Sequence, residues 1–232
     1  MEKGEVVAIA AEAREFKGLL RFAQAVEPAG LPVRFSRRAQ LNGLWWVLAA
    51  HGPGPRLAAV AARTVLDSGP ARAVVSTGTC GALDPVLRIG DIVVASEIWG
   101  NARVAVSRPK GRRKFTEGSI LSQDRVAITV KEKKELWRRG ATATEMEAEA
   151  VGLEARRRGV TFYCVRAVSD TAEENLPMDF NEVRDAEGRF SLPRIVLRAL
   201  ARPALLPALV RLGRQADAAS LALGEYLAEC EF

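Results

Sequence analysis

Carboxylate side chains stand at both ends of one predicted helix–strand unit, residues 141–170. Its sequence, ATATEMEAEAVGLEARRRGVTFYCVRAVSD, places Glu145 and Glu147 before a helical pattern and Asp170 directly after an apolar run. A carboxyl group at the end of a buried strand loses hydration, which raises its pKa and lets it deliver a proton near neutral pH. Carboxylates at both ends of one unit therefore raise the question whether they do chemistry or only cap the structure.

Both ends of this unit also have an ordinary structural explanation. Thr144 and Glu147 have the spacing of a capping box, in which the two side chains bind backbone N–H groups at the start of a helix. Met146 would then be a core residue, and Asp170 would cap the turn that follows it. The spacing alone leaves the structural and the chemical explanations open.

Short apolar segments alternate with helical patterns in residues 1–170. The predicted strands are EVVAIAAE, GLWWVLAA, ARAVVSTGTCGAL, RIGDIVVASEIWG and VTFYCVRAVSD, and the predicted helices are AREFKGLLRFAQAV, RLAAVAARTVLDSG and ATEMEAEAVGLEARRRG. Strands separated by helices predict a largely parallel sheet with helices on both faces. Ligands of such folds bind at the carboxyl ends of the strands, which here means Glu12–Glu15, Gly78–Gly81 and Ser169–Asp170.

Composition narrows the class of protein. The 232 residues are 48% hydrophobic, enough to bury the core of a single domain spanning residues 1–232. Three scattered cysteines and a lone histidine, His51, argue against a disulfide framework or a zinc site. The start of the chain lacks a signal-peptide pattern, and no apolar stretch is long enough to cross a bilayer. We therefore expect a cytoplasmic protein, with a position at the membrane surface as the alternative.

Positive charge is unevenly distributed along the chain. The formal net charge is +6, and a basic cluster lies in the sequence NARVAVSRPKGRRKF, within a predicted loop over roughly residues 100–120. Such a cluster suits an anionic partner or a solvated loop equally well. Aromatic residues do not interleave with these charges, so the sequence does not predict binding of nucleic acid.

The C-terminal region, residues 191–232, is predicted to form two or three helices interrupted at Pro203 and Pro207. An apolar stripe runs beside basic residues there; the stripe consists of Leu205, Leu206, Leu209, Val210 and Leu212, and the basic residues are Arg198, Arg202, Arg211 and Arg214. This pattern is typical of a helix that packs on a core or a second subunit, or of a helix on a membrane surface.

Three segments together resemble one known superfamily in order and spacing. VVAIAAEAREFKGL, VVSTGTCGALDPVLRIGDIVVASEI and TEMEAEAVGLEARRRGVTFYCVRAVSD are similar to the purine nucleoside phosphorylases and the methylthioadenosine/S-adenosylhomocysteine nucleosidases. The C-terminal sequence from LPMDFNEVRDAEGRF onwards resembles the hopanoid-associated phosphorylase branch. The resemblance implies a three-layer αβα sandwich with a mostly parallel, mixed central sheet and extra C-terminal helices.

The resemblance also implies roles for the acidic residues. Asp170 would protonate N7 of a purine while Ser169 and Arg166 orient that acid and its polar network. Glu147 would accept hydrogen bonds from the ribose hydroxyls, bonds that strengthen as the sugar becomes cationic. Met146 would pack against the sugar, and Glu145 and Gly78 complete the expected substrate site.

Two features bear on what attacks the sugar. The nucleosidases use a Glu after the first strand to activate water; Glu15 matches it best, and Glu12 is the competitor. The phosphorylases bind phosphate through an Arg where this chain has Ser76, although Arg56 offers a cation nearby. Thr79 matches a Ser that contacts phosphate or water. We therefore favour hydrolysis over phosphorolysis.

The aromatic that stacks on the base in the nucleosidases is replaced here by Val126, so Phe162 or Trp99 is expected to substitute. His51 is expected to be a structural residue of its turn.

The resemblance implies an enzyme that releases adenine from a 5′-substituted adenosine, in the hopanoid branch adenosylhopane. Water or phosphate would be the co-substrate, without a metal or organic cofactor, and the protein would be a homo-oligomer with a possible lipid-linked substrate and contact with the membrane. The alternatives are cleavage of methylthioadenosine, S-adenosylhomocysteine or futalosine, or nucleoside binding without catalysis.

Overall fold

A computed structural model describes residues 4–232. The strands are β1 (Glu5–Ala10), β2 (Ala25–Pro28), β3 (Phe35–Leu41), β4 (Leu44–Ala50), β5 (Ala71–Ala82), β6 (Ile92–Trp99), β7 (Arg103–Val104), β8 (Thr116–Ser122), β9 (Ala143–Glu145) and β10 (Phe162–Asp170). The α-helices are α1 (Lys17–Leu20), α2 (Pro55–Ser68), α3 (Val130–Arg138), α4 (Ala148–Arg157), α5 (Leu192–Ala201) and α6 (Leu206–Leu227). Short 3₁₀ helices cover Ala13–Phe16, Asn181–Val183 and Pro203–Leu205.

All ten strands join one mixed sheet in the order β10-β6-β8-β9-β5-β1-β4-β3-β2, with β7 paired to β6. β5 is long enough to pair with β1 and β10 in parallel and then with β9 in antiparallel orientation. Because β10 pairs with both β5 and β6, the strands β5, β6, β8, β9 and β10 close on themselves. Their ends therefore converge on one small region.

Helices cover both faces of the sheet, which confirms the predicted fold class. On one face, α2 and α4 bury apolar side chains such as Ala61, Val65 and Val151 against the strands. On the other face, α6 contributes Leu223 and Tyr226 to a second core that also contains Leu19 of α1. The sheet is apolar on both sides because each side meets a helix layer.

Several predicted elements differ from the observed ones. The helix predicted over residues 13–26 ends at Leu20, and residues Ala25–Pro28 form β2 instead. The loop predicted over residues 100–120 contains β7 and the start of β8. Pro203 begins a 3₁₀ helix, whereas Pro207 does not interrupt α6, because it lies in the first turn, where its missing N–H has no helical partner to lose.

Three arginines of the basic cluster in residues 101–115 make ion pairs. Arg103 pairs with Glu97, Arg108 with Glu117, and Arg113 with two glutamates of the C-terminal region.

Within the described residues, no helix is both long and apolar enough to cross a bilayer. The prediction that residues 1–232 form one domain stays a prediction, and residues 1–3 of it lie outside the described part of the chain.

Candidate functional site

A cavity of about 570 Å³ opens at the carboxyl ends of β1, β5 and β10. Its polar part is lined by acidic and hydroxyl side chains together with two arginines: Glu12, Arg14, Glu15, Thr79, Arg125, Glu145, Glu147, Ser169 and Asp170. Its apolar part is lined by Met146, Val126, Leu176, Phe180, Phe190, Leu192, Ile195, Leu209 and Leu212. The three segments chosen from the strand-end rule thus meet in one place.

Glu15 is held in the 3₁₀ helix that follows β1, and it reaches across to β5. Its Oε2 accepts hydrogen bonds from the backbone N–H groups of Ala11 and Glu12, at 3.0 and 2.9 Å. Its Oε1 accepts from the Thr79 N–H at 2.7 Å and from the Thr79 hydroxyl at 3.2 Å. Four donors therefore fix the orientation of this carboxylate at the wall of the cavity.

Gly78 makes this approach sterically possible. Its φ is +127°, and a Cβ atom at this position would lie 2.5 Å from Glu15 Oε1. A larger residue would push Glu15 away from β5 and would also strain the backbone. Gly78 thus acts through the position of Glu15.

Arg166 is fully buried beneath the acidic residues and is not part of the cavity lining. Its guanidinium pairs with Glu145, lies 3.6 Å from Glu147, and donates to Ser76 Oγ at 2.7 Å and to the Thr77 carbonyl at 2.8 Å. A buried guanidinium of this kind offsets the charge of nearby carboxylates. Arg166 therefore stabilises Glu145 and Glu147 and does not itself line the cavity.

Glu145, rather than Thr144, caps helix α4. The Glu145 carboxylate accepts hydrogen bonds from the N–H groups of Glu147 and Ala148, both at 2.9 Å. Thr144 lies on β9, and its hydroxyl donates to the Leu121 carbonyl. The capping-box explanation is wrong, because the helix begins at Ala148 and leaves the Glu147 side chain free for another role.

Glu147 projects into the cavity as a buried carboxyl group. Its Oε1 accepts a hydrogen bond from the Gly54 N–H at 2.8 Å. Burial raises the pKa of Glu147 to about 8, and the neighbouring Glu145 adds to the rise, while Arg166 opposes it. The group is therefore poised to change charge within the physiological pH range.

This raised pKa predicts a pH-dependent stability. Between about pH 4.5 and about pH 8, folded Glu147 binds a proton that the unfolded chain releases, so the free energy of unfolding should fall as the pH rises through this window. In Glu147→Gln this contribution to the slope is removed. Urea unfolding at both ends of the window measures the difference, and the exposed Glu173→Gln serves as control. Identical slopes for Glu147→Gln and wild type would contradict the assignment.

Asp170 ends β10 in a buried position between two donors. Its Oδ1 accepts from the Ser169 hydroxyl at 2.9 Å, and its Oδ2 accepts from Lys133 Nζ at 2.6 Å. Burial raises the pKa of Asp170, although the ammonium of Lys133 and the Ser169 hydroxyl oppose this rise. The carboxyl group is thus held in place and remains able to carry a proton.

Lys133 was missed by the sequence analysis. It lies on α3 and is only 1% exposed, and its ammonium group also donates to the Thr171 and Glu174 carbonyls, at 2.7 and 3.2 Å. The sequence signal was a lysine four residues after Thr129, which caps α3. The exposed lysines of the same helix, Lys131 and Lys134, look no different in sequence. Only tertiary structure, which brings the Lys133 ammonium to Asp170 at the end of β10, distinguishes Lys133 from its neighbours.

Phe162 and Trp99, the expected stacking residues, are not brought to the cavity. Phe162 begins β10, at the opposite end of the strand from Asp170, and packs in the core against Gly152. The Trp99 indole donates to Ser119. Phe180 and Phe190 line the cavity instead, with ring centroids 6.0 Å apart in an edge-to-face arrangement. In the sequence, the only sign of these two residues was that they are phenylalanines in the mostly polar segment 171–190.

Other residues considered as ligands lie outside the cavity lining. Ser76 is fully buried beside Arg166. Arg56 donates to the Glu187 carbonyl on the surface, and the imidazole of His51 accepts a hydrogen bond from the Arg34 N–H at 3.2 Å. The position of His51 agrees with a structural role in its turn.

Comparison with known proteins agrees with this fold. Residues 5–112 match the model of the family described as the Phosphorylase superfamily. The fold is similar to that of the 5′-methylthioadenosine/S-adenosylhomocysteine nucleosidase of Neisseria meningitidis in complex with methylthio-immucillin-A, at 22% identity and a TM-score of 0.72, over 97% of each chain.

Two further solved structures are similar over nearly the whole chain. The S-adenosylhomocysteine nucleosidase of Streptococcus pyogenes has a TM-score of 0.74 at 17% identity, covering 99% of this chain and 96% of that one. The futalosine hydrolase of Helicobacter pylori has a TM-score of 0.72 at 15% identity, covering 97% and 96%. Residues 5–112 thus resemble the phosphorylase superfamily in sequence, and the whole chain shares its fold with these nucleosidases of known structure.

Proposed function

We propose that this protein is an N-ribosyl hydrolase that releases adenine from a 5′-substituted adenosine, with adenosylhopane as the preferred substrate. The observation that carries the proposal is one cavity that has three buried carboxyl groups, Glu15, Glu147 and Asp170, at its polar end and an extended apolar wall at the other. The similar nucleosidases and the futalosine hydrolase support a reaction at a nucleoside glycosidic bond.

The reaction separates charge between the base and the sugar. As the bond between C1′ and N9 breaks, its electron pair moves to the purine, and the ribose ring becomes cationic. A proton from Asp170 to N7 neutralises the departing base. The oxygen of a water molecule bonds to C1′ and gives up a proton, so that the products are adenine and the free 5′-substituted ribose.

Each carboxyl group has a position that suits one part of this reaction. Asp170, with a pKa raised by burial, is the proton donor. Glu147, in its ionised form, accepts hydrogen bonds from the ribose hydroxyls, and these strengthen as positive charge develops on the ring. Glu15, oriented by four donors, receives the proton of the attacking water.

Two observations support water over phosphate as the nucleophile. Ser76 stands where the phosphorylases carry an arginine, and it is buried and occupied by a hydrogen bond with Arg166. Arg166 itself is engaged with carboxylates and a carbonyl. Arg166 therefore has no free positive charge for a phosphate dianion, and of the two arginines that do line the cavity, Arg14 and Arg125, the second pairs with Glu132 at 2.7 Å.

The apolar wall supports a large, hydrophobic 5′ substituent. Leu192 and Ile195 of α5, with Leu209 and Leu212 of α6, extend the cavity away from the carboxylates. A hydrocarbon group buried there gains about 25 cal/mol for each Å² removed from water. A lipid as 5′ substituent would bury far more apolar surface against this wall than a methylthio group would.

The test is adenine release from adenosylhopane and from methylthioadenosine, each with and without phosphate. We expect release from both without phosphate, with a higher kcat/KM for adenosylhopane and the unphosphorylated 5′-substituted ribose as the sugar product. A strict phosphate requirement would replace hydrolysis by phosphorolysis. Preference for methylthioadenosine would assign the shorter substrates, and binding without adenine release would contradict catalysis altogether.

A further inference from the structure

Exposed apolar side chains are concentrated in one short segment. Within residues 4–232, eleven large hydrophobic side chains are exposed, and six of them lie between residues 192 and 210: Leu192, Val196, Leu197, Leu200, Leu206 and Val210. Leu197 and Leu200 are 68% and 70% exposed. We call this surface, formed by α5 and the first turns of α6, the α5–α6 face. A concentration of large exposed apolar side chains of this kind indicates an interaction site.

The same segment is purely cationic. From Ser191 to Ala216 the chain contains five arginines and neither aspartate nor glutamate. Arg198 pairs with Glu182 at 2.7 Å, whereas Arg202, Arg211 and Arg214 make no ion pair within the described part of the chain. A partner of the α5–α6 face must therefore accept both hydrocarbon and positive charge.

The packing leaves α5 on the surface. Only Ala199 of α5 is buried, whereas the C-terminal half of α6 contributes Leu223 and Tyr226 to the core. The α5–α6 face therefore lies on the surface, and the far end of α6 anchors it to the core. Leucines of the same two helices, Leu192 and Leu209, also line the cavity, so the exposed apolar surface continues into it.

We propose that the α5–α6 face docks onto the surface of a lipid bilayer that contains anionic lipids. Leucines and valines between arginines suit this partner, because the apolar side chains enter the acyl region while the arginines extend to the headgroups. A second copy of the chain fits poorly, since a symmetric contact would bring the unpaired arginines of both copies together without acidic residues.

Docking would place the mouth of the cavity against the membrane. A nucleoside attached to a hydrophobic group could then pass from the bilayer along Leu192 and Leu209 without exposing its hydrocarbon to water. The docking does not depend on the proposed reaction, whereas this route for the substrate rests on the proposed function.

The test is co-sedimentation of the full-length protein with phosphatidylcholine vesicles, with and without phosphatidylserine. We expect binding to the vesicles that contain phosphatidylserine, and binding at least about tenfold weaker for the variant Leu197→Ser, Leu200→Ser. Val86→Ser is the matched control, because Val86 is 69% exposed elsewhere on the surface. Equal binding by wild type and the leucine variant would overturn the proposal.

The charge requirement has its own pair of variants. Replacing Arg202, Arg211 and Arg214 by Gln should weaken binding and remove the preference for phosphatidylserine. Replacing Lys131, Lys134 and Arg138 on the exposed side of α3 by Gln removes the same charge elsewhere and should leave the preference intact. A loss of binding that is equal in the two triple variants would show attraction by net charge only and would overturn a dedicated face.

A fluorescent reporter distinguishes insertion from other occupants. In Leu197→Trp, transfer of the indole into the acyl region should shift its emission to the blue when vesicles with phosphatidylserine are added. A shift that instead follows protein concentration without vesicles, together with a dimer that Leu197→Ser, Leu200→Ser abolishes, would assign the face to a second copy. Vesicle binding without any nucleoside cleavage would leave the docking intact and refute the proposed function alone.

Discussion

Replacing Asp170 by Asn should lower adenine release by about 100- to 10,000-fold, because the amide cannot protonate the purine N7. Asn keeps an oxygen that can accept the hydrogen bond from Lys133, so the local geometry should largely persist. The Lys133 ammonium, however, loses its counter-charge in a site where it is 1% exposed. The free energy of unfolding should therefore fall by about 1–3 kcal/mol. Steady-state kinetics well below the unfolding temperature measures the activity.

A double variant separates lost chemistry from lost stability. Asp170→Asn combined with Lys133→Met removes both members of the buried pair, and it should be more stable than the single Asn variant. If Asp170 is the proton donor, the double variant remains inactive although its stability recovers. Activity that returns with stability would show that Asp170 only balances Lys133.

Replacing Glu15 by Gln should reduce hydrolysis by a similar factor, about 100- to 10,000-fold, because an amide cannot take a proton from water. Four donors surround the Glu15 carboxylate, and the amide NH₂ of Gln must face at least one of them. We therefore also expect a loss of stability of about 1–3 kcal/mol for the unsatisfied donor. The rate at which the 5′-substituted ribose forms is the measurement.

Glu12→Gln is the matched control for this variant. Glu12 lines the same cavity, and burial together with the nearby Glu15 raises its pKa. If Glu15 activates the water, Glu12→Gln keeps most of the activity. The opposite pattern would assign the role to Glu12, and activity in both variants with a 5′-substituted ribose 1-phosphate as product would indicate phosphorolysis.

The fold class follows from local pattern. Apolar strands such as β1 and β10, separated by the amphipathic helices α2 and α4, were predictable because each is encoded within a short stretch of chain. The predictions failed where an element is short or at an edge. β2, whose residues are all exposed, has no apolar alternation to reveal it, and it forms because its backbone pairs with β3.

The polar end of the site was predictable to a similar extent. Asp170 ends a predicted strand, and Glu15 and Glu147 lie near the starts of predicted helices, while the carboxyl ends of parallel strands meet at one edge. The roles within the acidic group were not predictable. Whether Glu145 or Thr144 caps α4 depends on where the helix begins, and a shift of three residues reverses the answer.

By itself, then, the sequence determined the α/β class, the strand ends that carry acidic residues, and the amphipathic, cationic character of the C-terminal segment. Tertiary structure alone decided that Lys133 pairs with Asp170, that Phe180 and Phe190 rather than Phe162 line the cavity, and that the leucines of α5 remain exposed. The physical reason is the range of the interactions. Helix and strand patterns arise between near neighbours, whereas ion pairs and cavity walls join residues far apart in the chain, and only packing decides which of them meet.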